Sequence, residues 1–159
     1  MQEMQKAIEE QKPDSTIVEA TVRYIKSKMK DWKESNINMQ KEAINVLGAC
    51  CKNCDDVPKK AYYVYAPFLC DKIGDVKMAT MVKEVCMSIA EFVTAKYVGA
   101  LVMKNALGTK SVGNIKESCV ILSTLVDEFG AASMHLKNVI DFASNSANHA
   151  DKKVRDAAL

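Results

Sequence analysis

Apolar residues recur every three or four positions along most of this 159-residue chain. That spacing is typical of amphipathic α-helices with one buried face, and the stripe Val18, Val22, Ile25 and Met29 is one example. No stretch of useful length alternates apolar and polar residues, so a β-structure has little support. The pattern predicts helices over residues 1–11, 16–29, 39–50, 58–72, 76–93, 96–107, 115–129 and 133–143, with a last helix beginning at 151.

Residues that favour helix ends mark the boundaries of these helices. Thr16, followed by a glutamate three residues later, predicts a capping box, and Pro58 suits the first position of a helix. Gly74 suits a left-handed position after a helix, and Asp75 the N-cap of the next one. Ser133 is predicted to cap the helix that ends near residue 143.

The predicted helices come in pairs, and the pairs repeat along the sequence. Trp32, Asp75, Lys110 and Lys152 lie at corresponding turns and recur roughly every 40 residues, which is the period of HEAT or armadillo units. Each such unit is a hairpin of two helices that packs on its neighbours. The predicted fold is therefore all-α, an α-solenoid of HEAT-like helical hairpins.

The whole chain, 1–159, is expected to form one partial repeat domain. The predicted divisions are 1–12 for the end of a first repeat, 15–54 for the second, 57–94 for the third, 95–130 for the fourth and 133–159 for a truncated fifth. The last segment starts as the second helix of a repeat, with Asp151 at its N-terminus and Val154 on its apolar face. This helix stops after about two turns, so we expect the sequence to be a piece of a longer array.

Charge and hydropathy narrow the function classes. The chain has 22 basic and 20 acidic residues, for a net charge of +2. A nucleic-acid-binding domain usually carries a strongly one-sided charge, so a DNA-binding helical-repeat protein is the least favoured hypothesis. No stretch approaches the ~18 apolar residues of a membrane span, and no secretory signal opens the chain. We therefore expect a cytoplasmic protein that binds neither nucleic acid nor membrane.

The six cysteines are expected to be reduced and free of metal. Cys70, Cys86 and Cys119 lie in apolar helical runs and are typical of small core residues. Cys51 and Cys54 have the spacing of half a zinc site, but no second close pair follows to complete the ligand set. We predict no metal and no cofactor.

Catalysis has little support in this sequence. It contains no glycine-rich phosphate loop and no nucleophile elbow, and His135 and His149 are isolated from each other. We therefore predict that the protein is not an enzyme, and we assign no catalytic or cofactor-binding residues.

In an α-solenoid, the turns inside the hairpins lie along one edge, and here those turns are mostly basic. A lysine in the first turn of a helix opposes the helix dipole at a cost of about 0.3–1 kcal/mol, so its repetition hints at a role outside folding. Such an edge suits an acidic protein partner. The candidate partner-binding residues are Trp32, Lys33, Lys72, Lys77, Lys110, Lys152 and Lys153.

Two residues near this edge have structural alternatives. Trp32 is equally well interpreted as an aromatic cover over the adjacent core, because tryptophan is highly buried on average. Arg155 is expected to form an ion pair within its own repeat rather than a partner contact.

Four segments resemble a TOG domain of the ch-TOG-type microtubule polymerase family, and more narrowly a middle, third-type TOG domain. They are WKESN at 32–36, LCDKIGDVK at 69–77, KEVCMSIAE at 83–91 and DEFG at 127–130. The resemblance spans nearly the whole chain in order and register, and DKIGDVK is its most specific element.

The resemblance implies a flat paddle of HEAT repeats whose inner turns bind αβ-tubulin or the microtubule lattice. It also implies adjacent TOG domains in the same parent chain, and a place on the cytoskeleton at microtubules, the spindle and centrosome-like structures. The signature tryptophan of the family lies in the first repeat, whereas Trp32 belongs to the second. The alternative is a general HEAT-repeat scaffold that binds another acidic protein without contacting tubulin.

Overall fold

The computed structural model describes residues 1–55 and 59–159, and all regular structure in these two ranges is helical. The predicted all-α class is therefore confirmed. The α-helices are α1 (Gln2–Gln11), α2 (Ser15–Lys28), α3 (Ile37–Asn53), α4 (Lys59–Lys72), α5 (Ala79–Phe92), α6 (Ala95–Leu107), α7 (Val112–Phe129), α8 (Leu136–Ala147) and α9 (Lys152–Ala157). A 3-10 turn, Ala131–Ser133, separates α7 from α8.

Two predicted boundaries fall on residues 56–58. The helix start at Pro58 and the start of the third repeat at residue 57 both lie outside the described residues. The division of the chain into repeats stays a prediction. In the described ranges, no helix is long and apolar enough to cross a membrane.

The chain divides into an N-terminal unit, Met1–Leu69, and a C-terminal unit, Cys70–Leu159. In the N-terminal unit α3 packs against α1 and α2, and the predicted stripe on α2 is buried from Val18 to Met29. In the C-terminal unit α7 is central, because it packs against α5, α6, α8 and α9. Four connections between successive helices are called turns below: the α2–α3 turn (29–36), the α4–α5 turn (73–78), the α6–α7 turn (108–111) and the α8–α9 turn (148–151).

The N-caps predicted at Thr16 and Asp75 were wrong. Helix α2 begins at Ser15 and is capped by Asp14, whose Oδ1 accepts the Ile17 N–H at 2.9 Å, not by Thr16. A carboxylate also interacts favourably with the helix dipole, which a hydroxyl does not. Asp75 caps no helix, because its Oδ1 accepts from the Lys77 N–H at 2.8 Å and closes a tight turn, so that α5 begins only at Ala79.

The boundaries of α7 and α8 also differ from the prediction. Ser111 caps α7 by accepting the Asn114 N–H at 3.3 Å, so the helix begins three residues before the predicted start at 115. The Ser133 hydroxyl instead donates to the Gly130 carbonyl at 2.7 Å within the 3-10 turn. Helix α8 therefore begins at Leu136, and it continues to Ala147 rather than residue 143.

Gly74 does not adopt the predicted left-handed conformation. It is required for a different reason, since a Cβ built on it would lie 2.5 Å from the backbone nitrogen of Asn114. Gly130, after α7, does have a positive φ of 79°, which glycine adopts at no steric cost.

Candidate functional site

Two turns of the C-terminal unit, α4–α5 and α6–α7, lie side by side. Side-chain amides of the α6–α7 hairpin reach the end of α4, where Asn105 Nδ2 donates to the Cys70 carbonyl at 2.9 Å and Asn114 Nδ2 donates to the same oxygen at 3.2 Å. The backbone of Gly74 lies directly against that of Asn114. The sequence pattern placed these turns on one edge, and these contacts show how they are joined.

Each of these two turns carries an exposed candidate lysine. Lys77 is exposed in the α4–α5 turn and Lys110 is exposed in the α6–α7 turn, while Lys72 is half-buried at the end of α4. The backbone N–H of Lys77 is fixed by Asp75, and the Thr109 hydroxyl accepts from the Ser111 N–H at 3.1 Å. Both turns are therefore ordered by local hydrogen bonds, and both exposed ammonium groups are available to a partner.

The α8–α9 turn presents a second basic group in the same unit. Lys152 and Lys153 are both exposed, and the Lys153 N–H donates to Asp151 Oδ1 at 2.8 Å. Asp151 caps α9, as its acidic side chain and position predicted.

Arg155 supports the α8–α9 turn from within. Its Nη1 donates to the carbonyl oxygens of His149 and Ala150 at 2.8 and 2.7 Å. The predicted structural role is therefore right, but the predicted ion pair is wrong, because its partners are backbone carbonyls. His149 also contributes, since its Nδ1 accepts the Asp151 N–H at 3.0 Å.

The Trp32 side chain, in the N-terminal unit, packs against α4 rather than extending into solvent. Its ring stacks on Phe68 with centroids 4.8 Å apart and planes 15° apart. Its Nε1 donates to the Val64 carbonyl in α4 at 3.0 Å. Lys33, the adjacent candidate, is exposed. Trp32 therefore anchors the turn that carries Lys33.

The α2–α3 turn is strained in a way that the sequence did not reveal. Lys30, Asp31 and Trp32 have φ values of 50°, 56° and 69°, and left-handed backbone costs a residue other than glycine about 1–2 kcal/mol. Hydrogen bonds offset this strain, including those from the Asp31 N–H to the Lys26 carbonyl and from the Glu34 N–H to the Met29 carbonyl, both at 3.0 Å.

Glu34 holds the end of this turn. Lys30 Nζ lies 2.8 Å from Glu34 Oε2, and the Asn36 N–H donates to Oε1 at 2.9 Å. The hydrogen bond from Lys30, followed by that from Asn36, lowers the pKa of the Glu34 carboxyl. The four-residue spacing of Lys30 and Glu34 was the one signal in the sequence that could have revealed this support.

The six cysteines are buried thiols. Cys51 Sγ lies 3.2 Å from the Tyr65 hydroxyl oxygen. Burial raises the pKa of Cys50 to about 12 and that of Cys51 to about 11, and burial also raises the pKa of Cys70 to about 12. Over residues 1–55 and 59–159, no cluster of His, Cys, Asp and Glu is arranged to hold a metal ion.

Because burial raises the pKa values of these thiols, we expect the protein to lose stability at alkaline pH. The pKa of Cys50 is 9.0 in the unfolded chain and about 12 in the folded one. Between these two pH values the unfolded chain loses the Cys50 proton while the folded chain keeps it. The folded state then binds more protons, so the free energy of unfolding falls as pH rises through this window. Urea denaturation at a series of pH values measures it, with Cys50→Ala as the comparison. An identical alkaline slope in both proteins would contradict the assignment to Cys50.

Comparison with known proteins gives one family. The model for the XMAP215/Dis1/CLASP TOG domain matches residues 1–159. The solved structure of Mini spindles TOG3 from Drosophila melanogaster superposes with a TM-score of 0.84 at 19% sequence identity, and the match covers 99% of this chain and 69% of that one. This match confirms the predicted solenoid of HEAT-like hairpins.

Two further relatives agree with this result. A structure described as "TOG-tubulin binding specificity promotes microtubule dynamics and mitotic spindle formation" matches with a TM-score of 0.70 at 21% identity, covering 78% of this chain and 52% of that one. Protein MOR1 of Arabidopsis thaliana is 22% identical over 114 residues, which are 72% of this chain and 6% of MOR1. This chain thus spans a small part of that relative's length. Because the family model matches the sequence from the first residue to the last, the chain belongs to the XMAP215/Dis1/CLASP TOG domain family.

Proposed function

We propose that this chain is a non-enzymatic module that binds αβ-tubulin or the microtubule lattice through its intra-hairpin turns. The observation that carries the proposal is the pair of adjoining turns in the C-terminal unit, each of which presents an exposed lysine, Lys77 or Lys110. Membership of the TOG family and the tubulin-binding subject of a structural relative support tubulin as the partner.

The proposed contacts are electrostatic, and each unit has its own set. In the C-terminal unit they comprise Lys77, Lys110, Lys152 and Lys153, with half-buried Lys72 beside them. In the N-terminal unit Lys33 is the exposed contact, and Trp32 acts from behind it by holding the turn. Tubulin carries acidic surfaces, so these ammonium groups would attract and orient it before close contact forms.

The cellular setting follows from the same proposal. A tubulin-binding module would be found with the cytoskeleton, at microtubules, the spindle and centrosome-like structures. It would act beside other TOG domains of one parent chain, with no nucleic acid or membrane as partner. The near-balance of 22 basic and 20 acidic residues supports an acidic protein over nucleic acid, whose binders usually carry a one-sided charge.

Titration of the purified chain with αβ-tubulin tests the proposal. We expect a complex at low salt whose dissociation constant rises steeply as salt is added, because exposed charges are screened over a Debye length of about 10 Å at 0.1 M. Analytical ultracentrifugation detects the complex, and co-sedimentation detects binding to assembled microtubules. If neither tubulin nor microtubules are bound at low salt, the proposal is wrong and a scaffold for another acidic protein is favoured.

A further inference from the structure

A hydrogen-bonded amide pair, half-buried Asn105 and buried Asn114, lies between the α4–α5 and α6–α7 turns of the C-terminal unit. We propose that Asn114 is a positioning residue, which fixes the separation of Lys77 and Lys110 so that the two lysines meet a partner as one rigid basic pair. This inference rests on the proposed function for its consequence, but its geometry can be tested without tubulin.

The first support is the way the end of α4 is capped. The Cys70 carbonyl is among the last four of α4, which lack partners within the helix. It accepts from the Ile73 N–H at 3.3 Å and from the side-chain amides of Asn105 and Asn114 at 2.9 and 3.2 Å. One helix end is therefore completed by two side chains of the following hairpin, which ties the two together.

The second support is that the Asn114 side chain is buried and hydrogen-bonded on both sides. Asn114 is 6% exposed, and its Oδ1 accepts from Asn105 Nδ2 at 3.1 Å and from Ser118 Oγ at 3.5 Å. A buried amide is stable only where its partners are in place. A different register of the two turns would leave this amide without them, so the network selects a single arrangement.

The third support is the close approach of the two backbones. A Cβ on Gly74 would lie 2.5 Å from the Asn114 nitrogen and 2.8 Å from its Cα, and a Cβ on Gly113 would lie 3.1 Å from the Gly74 carbonyl oxygen. The glycines allow this contact, and the amide pair sets its register. Lys77 follows Gly74 by three residues and Lys110 precedes Asn114 by four. Both lysines are therefore close in sequence to the contact between the two backbones.

Rigid placement matters because a partner would otherwise have to order two mobile turns when it binds. Loss of Asn114 removes no charge, so the salt dependence of binding would stay the same while the affinity falls. Loss of Lys77 would lower both the affinity and its salt dependence. This split separates a positioning residue from a contact residue.

The test measures geometry and binding on the full chain. Spin labels on Lys77→Cys and Lys110→Cys report the distance between the turns, since the native thiols are buried. We expect Asn114→Ala to broaden this distance distribution and, in the unlabelled chain, to weaken tubulin binding about three- to tenfold, because two exposed lysines contribute about 0–1 kcal/mol each, with an unchanged salt slope. Asn105→Ala, a change at a less buried residue, should act in the same direction and serves if Asn114→Ala fails to fold.

Val98→Ala is the matched control, because Val98 is a buried residue of α6 outside the amide network. It should lower thermal stability while keeping the label distance narrow and the affinity for tubulin intact. A narrow distribution in both asparagine variants would overturn the inference, as would an equal loss of affinity in Val98→Ala. Failure of the unmodified chain to bind tubulin would count against the proposed function alone, since the distance measurement stands without it.

Discussion

Reversing Lys33, Lys77, Lys110 and Lys153 to glutamate should abolish tubulin binding and leave the fold unchanged. All four side chains are exposed at intra-hairpin turns or at the start of a helix. A single exposed charge pair is worth about 0–1 kcal/mol, so each lysine alone contributes little. Reversal replaces attraction by repulsion at every position, and the four changes together should weaken binding by more than about 100-fold.

The matched control reverses Lys6, Lys59, Lys96 and Lys137, four exposed lysines outside the intra-hairpin turns. It changes the net charge by the same amount, and Lys6 makes only an exposed pair with Glu10 at 3.8 Å. We expect this variant to keep most of its affinity, with far-UV circular dichroism unchanged for both proteins. Equal binding by the two variants would show that the turns are not the docking surface, whatever the partner.

Salt provides an independent measure of the same surface. The unmodified chain should lose affinity as salt rises, whereas any residual binding by the turn variant should strengthen slightly, because salt then screens repulsion rather than attraction. Single reversals at Lys77 and Lys110 measure how much each lysine contributes to the affinity for tubulin. If one of them alone abolishes binding, that lysine makes a specific buried contact rather than a share of a diffuse field.

Much of the fold could be predicted because the helices depend on the spacing of apolar residues and on capping residues close to them in sequence. The stripe on α2 needs only residues three and four positions apart, and the acid that caps α9 needs only its own helix. The basic turns followed from the same regularity, because a repeat places equivalent residues at equivalent positions. The exposure of Lys77 and Lys110 is therefore a consequence of periodicity that one sequence was enough to reveal.

The prediction for Gly74 was wrong because the outcome depends on a residue distant in sequence. Gly74 was expected to provide a positive φ, but its role is set by the backbone of Asn114, which packs against it. Asp75 has the chemistry of an N-cap, yet Val76 beside it is 95% exposed, so the first buried residue of the next helix comes later. No local pattern distinguishes an aspartate that caps a helix from one that closes a turn before it.

The orientation of Trp32 was open for the same reason. The sequence supported both a contact at the edge and a cover over the core, and the choice depends on Phe68 and the Val64 carbonyl in α4. The run of left-handed residues that ends at Trp32 also could not be predicted from the sequence, since none of them is glycine. Tertiary contacts hold that backbone, and local preference alone opposes it.

Replacement of Trp32 by alanine should therefore lower the free energy of unfolding by about 2–4 kcal/mol, slightly less than a fully buried tryptophan would cost. The change removes the stack on Phe68 and the hydrogen bond to Val64. It also frees a turn whose strained backbone those contacts hold in place. Urea denaturation followed by far-UV circular dichroism measures it, because Trp32 is the only tryptophan and its fluorescence is lost with the substitution.

Trp32→Phe and Phe68→Leu resolve the sources of this effect. Trp32→Phe keeps an aromatic face for Phe68 and loses only the N–H donor, so it should cost about 0.5–1.5 kcal/mol. A double-mutant cycle between positions 32 and 68 should give a coupling energy of about 0.5–1.5 kcal/mol, the range measured for aromatic pairs. A Trp32→Ala variant as stable as the original, or a coupling energy of zero, would mean that the indole is not the anchor of the α2–α3 turn. Its assignment would then return to direct contact with a partner.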